Sequence, residues 1–311
     1  MHESSKIRID MDEVDAMPLL RASGRSLDRS PRRMGFLTPS DPRAPLDVLV
    51  DRYREHGYLW LKGLLPRDDV LAFRAYVFAA LADTGLLAPG SDPAIGLAGG
   101  AENADLARRR TMELVRSAAF EAFCLSPPLW RLLDGFLGGI SYLHKRKLLR
   151  MTKPGQAFST PAHYDLVYLR GGTDRIVTAW IPIGDTPAAM GGLCYLEGSH
   201  AEGRRLEAAF AAENAELSAE ERISAYNSKM GEGGWISKDL VAMADRFDTR
   251  WLIADYEAGD VMLHSPYMIH AATANDDPGG RIRLSCDIRY QNVRDEIDAR
   301  WSNHWSFDDM L

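Results

Sequence analysis

Apolar positions along the chain follow two different periods. From Pro45 onward they recur at helical spacing: Leu46, Val48, Leu49 and Tyr53 mark an amphipathic helix that stops at His56-Gly57. Tyr58-Leu59-Trp60-Leu61 is a short apolar run that predicts a strand, and Pro66-Arg67-Asp68-Asp69 opens a second helix running through Leu81. Helical spacing returns over residues 105–138, with a break at Ser126-Pro127-Pro128. The first 140 residues are therefore read as mostly helix.

Further on, the period shortens. Strand-like runs at 142–151, 163–169, 176–183, 193–196, 260–263 and 281–290 are punctuated by Gly and Pro. In the last run Ile282, Leu284, Cys286, Ile288 and Tyr290 take one face, and Arg281, Arg283, Ser285 and Asp287 the other. Many short strands after flanking helices predict a mainly β fold with flanking α: a double-stranded β-helix of jelly-roll or cupin-like type with an N-terminal helical buttress. Residues 1–44 interleave Arg21, Arg25, Arg29, Arg32 and Arg33 with Ser and Pro and are read as an N-terminal arm, leaving 45–311 as a single domain. Inside it, 201–257 is a charged, partly helical insertion. Its Gly231, Gly233 and Gly234 beside Trp235 make it a candidate lid over a barrel mouth.

Composition narrows the classes. Of 311 residues, 46% are hydrophobic and 26% charged, which excludes a wholly disordered chain. Lys and Arg number 37 against 44 Asp and Glu, a net charge of −7, so the basic excess of a nucleic-acid binder is missing. Three cysteines (Cys124, Cys194, Cys286), odd in number and far apart, argue against a disulfide framework and fit a reducing cytoplasm. The opening MHESSKIRIDMDEVD has no apolar core of a signal peptide, and the least charged stretch, 261–275, is too short and polar to span a bilayer. A cytoplasmic protein with a small-molecule substrate, and neither nucleic acid nor membrane as partner, is the expectation.

Histidine carries the chemistry. His163-Tyr164-Asp165 sets two ligand types two residues apart on an expected strand, hence on one face. Alone this is weak, since eight His among 44 acids give about one His-x-acid triplet by chance. His200-Ala201-Glu202 is a second, in what reads as an exposed turn. A third ligand should come from a distant strand, where His264 and His270 both stand. Arg281, at the start of the following strand, suits bidentate capture of a carboxylate. Two His and one carboxylate on one metal face leave three positions open, as in non-haem Fe(II) oxygenases.

From about residue 142 to 291 the chain resembles the phytanoyl-CoA dioxygenase family of Fe(II)/2-oxoglutarate oxygenases. HYDLVYL, DRIVTAWIPIGD, GGLCYLEGSH, GDVMLHSPYMIHAATAN and RIRLSCDIRYQ carry the resemblance, with HGYLWLKGLLPRDDV as the N-terminal strand and helix. It implies that His163, Asp165 and His270 hold Fe(II). The 2-oxoglutarate-binding Arg, eleven residues past the distal His, would be Arg281, and Trp180 would flank the co-substrate. Where the human namesake helps hold the co-substrate with a Ser, this chain has Ala272.

The implied activity couples oxidative decarboxylation of 2-oxoglutarate by O2 to oxidation of a C–H bond in a small organic substrate, such as a secondary-metabolite intermediate. Related halogenases have a small non-ligating residue at the position of Asp165, so its presence points to hydroxylation. Two rival readings stand beside this one: a cupin-like metal-dependent hydrolase or isomerase without 2-oxoglutarate, and a jelly-roll binding module. His264 is read as a core histidine, Trp301 and Trp305 as docking the tail, and Arg283 and Arg289 as surface ion-pair residues.

Overall fold

The computed structural model describes residues 19–306 apart from 157, 219–220, 223 and 226–233. In chain order its elements are β1 (Arg21–Ala22), β2 (Arg25–Ser26), β3 (Met34–Phe36), β4 (Pro39–Ser40), α1 (Leu46–His56), β5 (Tyr58–Leu61) and α2 (Arg67–Ala80). There follow α3 (Ala104–Val115), α4 (Ala118–Cys124), α5 (Pro127–Phe136), β6 (Ser141–Leu143), β7 (Leu148–Thr152), α6 (Leu166–Leu169) and β8 (Ile176–Pro182). The rest are β9 (Leu193–Leu196), α7 (His200–Glu213), α8 (Leu240–Arg246), β10 (Trp251–Ile253), β11 (Val261–His264), β12 (His270–Ala272) and β13 (Arg283–Asn292).

Two sheets form the jelly roll. The larger runs β4-β5-β11-β8-β13-β6, with β7 also pairing β13, and the smaller runs β12-β9-β10-β3. A bridge from His163 to His270 adds the chain just before α6 to the edge of the smaller sheet. Three apolar layers follow from strand alternation. Val177, Ala179 and Ile181 of β8 and Leu284, Cys286, Ile288 and Tyr290 of β13 pack outward against Val70, Phe73 and Val77 of α2 and Phe120 of α4. Between the sheets lie Trp180, Tyr195, Leu252, Tyr256 and Met262. Outside the smaller sheet, Cys194, Trp251, Ile253 and Ala271 meet Leu240, Met243 and Ala244 of α8.

Helix boundaries obey local chemistry. Gly57 closes α1 in the left-handed region at φ 76, and the Asn103 side chain caps α3 by accepting from the Leu106 amide. Three expectations change. The stretch 19–44 is more than an arm, because β3 and β4 enter the sheets while Leu20, Ala22, Leu27 and Met34 are buried. Three of its arginines are held by acids on and beside α8: Arg33 by Asp245 at 2.9 Å, Arg32 by Asp248 at 2.7 Å, and Arg25 by Asp239. The segment 201–257 is not one excursion, since Trp251-Leu252-Ile253 is an inner strand between β9 and β3; Gly231 and Gly233 lie outside the described residues. Finally, 163–169 is not a strand. After the bridge at His163 the chain turns at Asp165, which has φ −68 and ψ −29, into the short α6.

Trp251 is 1% exposed and its indole N–H donates to the Leu240 carbonyl at 2.7 Å, tying β10 to α8. Trp251→Ala should therefore lower stability by about 3–5 kcal/mol in urea unfolding, against less than about 0.5 kcal/mol for Ile95→Ala, an exposed apolar site. Equal small losses would mean that β10 adds nothing to the smaller sheet's stability.

Candidate active site

His163, on the bridge, and His270, at the start of β12, face each other from adjacent chains of the smaller sheet, their rings 4.3 Å apart between centroids. Asp165 reaches the same point because the turn into α6 swings its carboxylate back between the sheets. The Leu166 amide fixes that turn by donating to the Pro266 carbonyl at 2.9 Å. The three residues form the one group among the described residues fitted to hold a metal ion, with ligand atoms all within 4.8 Å of one another and all three side chains buried.

Protonation suits ligation. The Nδ1 atoms of His163 and His270 lie 2.8 Å from the carbonyls of Pro161 and Met268. Nδ1–H therefore donates, and each Nε2 keeps its lone pair for a cation. Nε2 of His163 and of His270 stand 3.9 and 3.8 Å from Oδ1 of Asp165. Burial pushes both imidazoles below their ordinary range, His270 well below it, where the neighbouring His163 and His264 also disfavour charge. Neutral rings are what a metal needs. For Asp165 burial opposes ionisation, yet Arg289 and His264 outweigh it and hold the carboxyl well below the usual range.

That carboxylate is completely buried and surrounded by donors. Nη2 of Arg289 lies 2.9 Å from Oδ1, Nε2 of His264 lies 3.2 Å from Oδ2, and the Thr178 hydroxyl donates to Oδ2. The Tyr195 hydroxyl meets Nδ1 of His264 at 2.9 Å. His264 is the core histidine expected, with both ring nitrogens bonded, and one of those bonds supports the Asp165 carboxylate. Arg289 is no surface ion-pair residue; it is 4% exposed and lies against the Trp301 ring. Spacing could have flagged Arg289, because it shares strand parity with Arg283, but its burial was invisible. His200 opens α7 and sits over Gly57, apart from the three ligands.

The two arginines at the head of β13 differ sharply. Arg281 is 38% exposed in its side chain and paired with Asp277 at 2.7 and 2.9 Å. Arg283 is buried among neutral partners, donating to the hydroxyls of Ser285 (2.7 Å) and Thr152 (2.6 Å), while its Nε has no partner. Burial lowers its pKa to about 10, so it is still cationic at neutral pH. Trp180 is 2% exposed on β8, two residues from Thr178 on the same inward face, its ring tilted against that of Tyr256 with centroids 4.8 Å apart, and opposite Asp287 in the sheet. A cavity of ≈ 330 Å³ opens onto His163, lined also by Arg150, Tyr168, Trp235, Arg289 and Trp301.

Comparison with known sequences decides the family. The sequence model of phytanoyl-CoA dioxygenase matches residues 53–283. The chain belongs to the phytanoyl-CoA dioxygenase family. Membership makes it a 2-oxoglutarate-dependent non-haem iron dioxygenase, and the donor set just described fits the iron. Among its relatives are the 1-deoxypentalenic acid 11-beta-hydroxylases of Streptomyces arenae and Streptomyces exfoliatus. They are 27% and 28% identical over 264 and 265 residues, covering 81% of this chain and 82% of each relative. Two solved structures share the fold at 19% identity. They are the epimerase SnoN with Fe3+, alpha ketoglutarate and nogalamycin RO (TM-score 0.54, covering 83% of this chain and 87% of that one) and the carbocyclase SnoK from nogalamycin biosynthesis (TM-score 0.53, 84% and 89%). No helix among the described residues is long and apolar enough to cross a membrane.

His163→Ala, Asp165→Ala and His270→Ala should each abolish tight Fe(II) or Mn(II) binding in calorimetry. His264→Ala, which removes a support of the Asp165 carboxylate, should weaken it roughly 10–100-fold. His200→Ala should bind metal normally. Full affinity in Asp165→Ala would rule out this ligand set.

Proposed function

We propose that this dioxygenase hydroxylates an unactivated C–H bond of a small organic molecule, an intermediate of secondary metabolism. In this reading His163, Asp165 and His270 are the iron ligands. Iron and 2-oxoglutarate, when bound, supply the oxygen chemistry: the co-substrate is decarboxylated to succinate and CO2 while one oxygen atom of O2 enters the substrate. The chain's own part is to hold, orient and exclude water. The observation that carries the reading is the buried two-His-one-carboxylate set, one member of which, His163, lines an aromatic-walled cavity. The Streptomyces relatives are hydroxylases, which supports hydroxylation as the outcome.

Arg283 rather than Arg281 is assigned the distal carboxylate of 2-oxoglutarate. A guanidinium buried with no acid in hydrogen-bond contact is costly unless an anion joins it, whereas Arg281 already has Asp277. Thr152 and Ser285 hold the Arg283 fork in place, and Trp180, on the row between Thr178 and Ser285, is proposed as the wall beside the co-substrate. Trp235 is proposed as a wall on the substrate side, the role foreseen for the segment that contains it. Three buried free cysteines suit a reducing compartment, and we place the enzyme in the cytoplasm, acting on small molecules and not on nucleic acid.

Arg283→Ala should weaken 2-oxoglutarate binding by roughly 10- to 1,000-fold, the loss of one or two charge-assisted bonds. Arg281→Ala should change it by less than about threefold, the scale of an exposed ion pair. The reverse order, measured as Kd on the Fe(II) protein, would return the anchor to Arg281. Trp235→Ala should reduce product formation more than 2-oxoglutarate affinity. Succinate release that requires both Fe(II) and 2-oxoglutarate, with an oxygenated product in mass spectrometry, tests the activity itself; a rearranged product without added oxygen would replace hydroxylation by epimerisation or ring closure.

A further inference from the structure

The cavity that opens onto His163 combines two kinds of wall that the reaction chemistry does not require together. Trp235, Trp301, Trp305 and Phe158 present aromatic surface, and Arg146, Arg150 and Arg289 present cationic surface, with Arg146 lying against the Trp301 ring. No acidic side chain lines this cavity among the described residues. Arg289 spends one Nη on Asp165, and its Nε and Nη1 are buried without a hydrogen-bond partner. The Trp301 ring, 5.1 Å from its guanidinium carbon, keeps the group from swinging away. Arg150, on β7 opposite Ser285, has its Nε engaged by Asp287 at 2.9 Å, and its side chain remains 44% exposed at the mouth.

Charge bookkeeping points the same way. Asp165 and the near end of 2-oxoglutarate neutralise the metal, and its far end answers Arg283. Asp287 is then the acid left for Arg150 and Arg289 together. Arginines thus outnumber acids around this partly dehydrated, aromatic-walled space, and guanidinium groups so placed favour a planar anion.

We propose that the substrate is an apolar organic acid, its carboxylate seated on Arg150 and the free edge of Arg289, and its hydrocarbon body against Trp235, Trp301 and Trp305. The assignment rests on the iron and 2-oxoglutarate reading above. A cavity of ≈ 330 Å³ limits the body to a compact skeleton or a medium chain. An amine would meet repulsion from the same two arginines, and a neutral hydrocarbon would leave the Arg289 donors unmet.

Tryptophan fluorescence of the anaerobic Mn(II)–2-oxoglutarate protein tests this with defined probes: adamantane-1-carboxylate and decanoate, each against its methyl ester and the alcohol of the same skeleton. The acids should bind at least about tenfold more tightly than ester or alcohol, and Arg150→Gln should erase that preference. The charge-transfer absorption of the Fe(II)–2-oxoglutarate complex, read in the same variant, checks that the cofactor site has survived. Esters or alcohols that bind as well as the acids overturn the proposal. So does a preference that persists in Arg150→Gln, and so does an absence of saturable quenching by either acid at millimolar concentration. If the wild-type protein shows no such absorption, the cofactor reading fails instead, and the acid–ester comparison on the metal-free protein still decides the substrate class.

Discussion

A fully buried carboxylate sets the terms for the rest of this fold. Removing Asp165 from water costs several kcal/mol unless donors replace its hydration. Those donors come from three neighbouring strands of the larger sheet: His264 on β11, Thr178 on β8 and Arg289 on β13. Thr178 lies directly opposite both His264 and Arg289, so the three form one row across the sheet. A slip of one residue in any of these pairings would turn a donor outward and leave the carboxylate uncompensated. Site and sheet register are thus a single constraint. Tyr195 extends it to the smaller sheet by holding the far nitrogen of His264.

This constraint explains an inverted polarity. Strands of a half-exposed sheet put polar residues toward water, but here the outer faces are the apolar ones. Helices α2 and α4 cover the larger sheet, and α8 with residues 19–34 covers the smaller. The polar side of β13, Arg283, Ser285, Asp287, Arg289 and Gln291, points between the sheets, where it can serve a ligand. Every residue of β8 is buried, because both of its faces are covered.

Much of this was legible in one sequence. Helical spacing located α1, α2 and α5, and period-two alternation located β13, because both follow from a single buried face. His163 and Asp165 were legible by spacing and His270 by the family resemblance, although the first pair converges through a helical turn at Asp165, not along a strand. What stayed hidden depends on packing between distant segments. Arg289 looks like any alternating polar residue until α2 and α4 are seen to take the opposite face. Trp251-Leu252-Ile253 is too short to declare itself as a strand, and the few apolar residues of 19–34 are masked by arginines whose partners are more than 200 positions away. Arg281 and Arg283 share one strand parity, so only the Asp277 turn separates their roles.

The C-terminal turn joins these arrangements. The Trp301 indole N–H donates to the Tyr168 carbonyl at 2.9 Å, within the helical turn that Asp165 opens. Asp298 accepts from the Gly171 amide just beyond it, also at 2.9 Å. The same Trp301 ring lies against the guanidinium groups of Arg289 and Arg146. One short segment therefore braces the turn that begins at Asp165 through its backbone and packs on Arg289, the partner of that carboxylate, through a side chain. It also forms part of the cavity wall above His163. A change in how the tail seats must alter the support of the carboxylate and the shape of the mouth together, since one ring serves both. The pairing gives this chain a physical route by which what fills the cavity can bear on how the metal ligand is held.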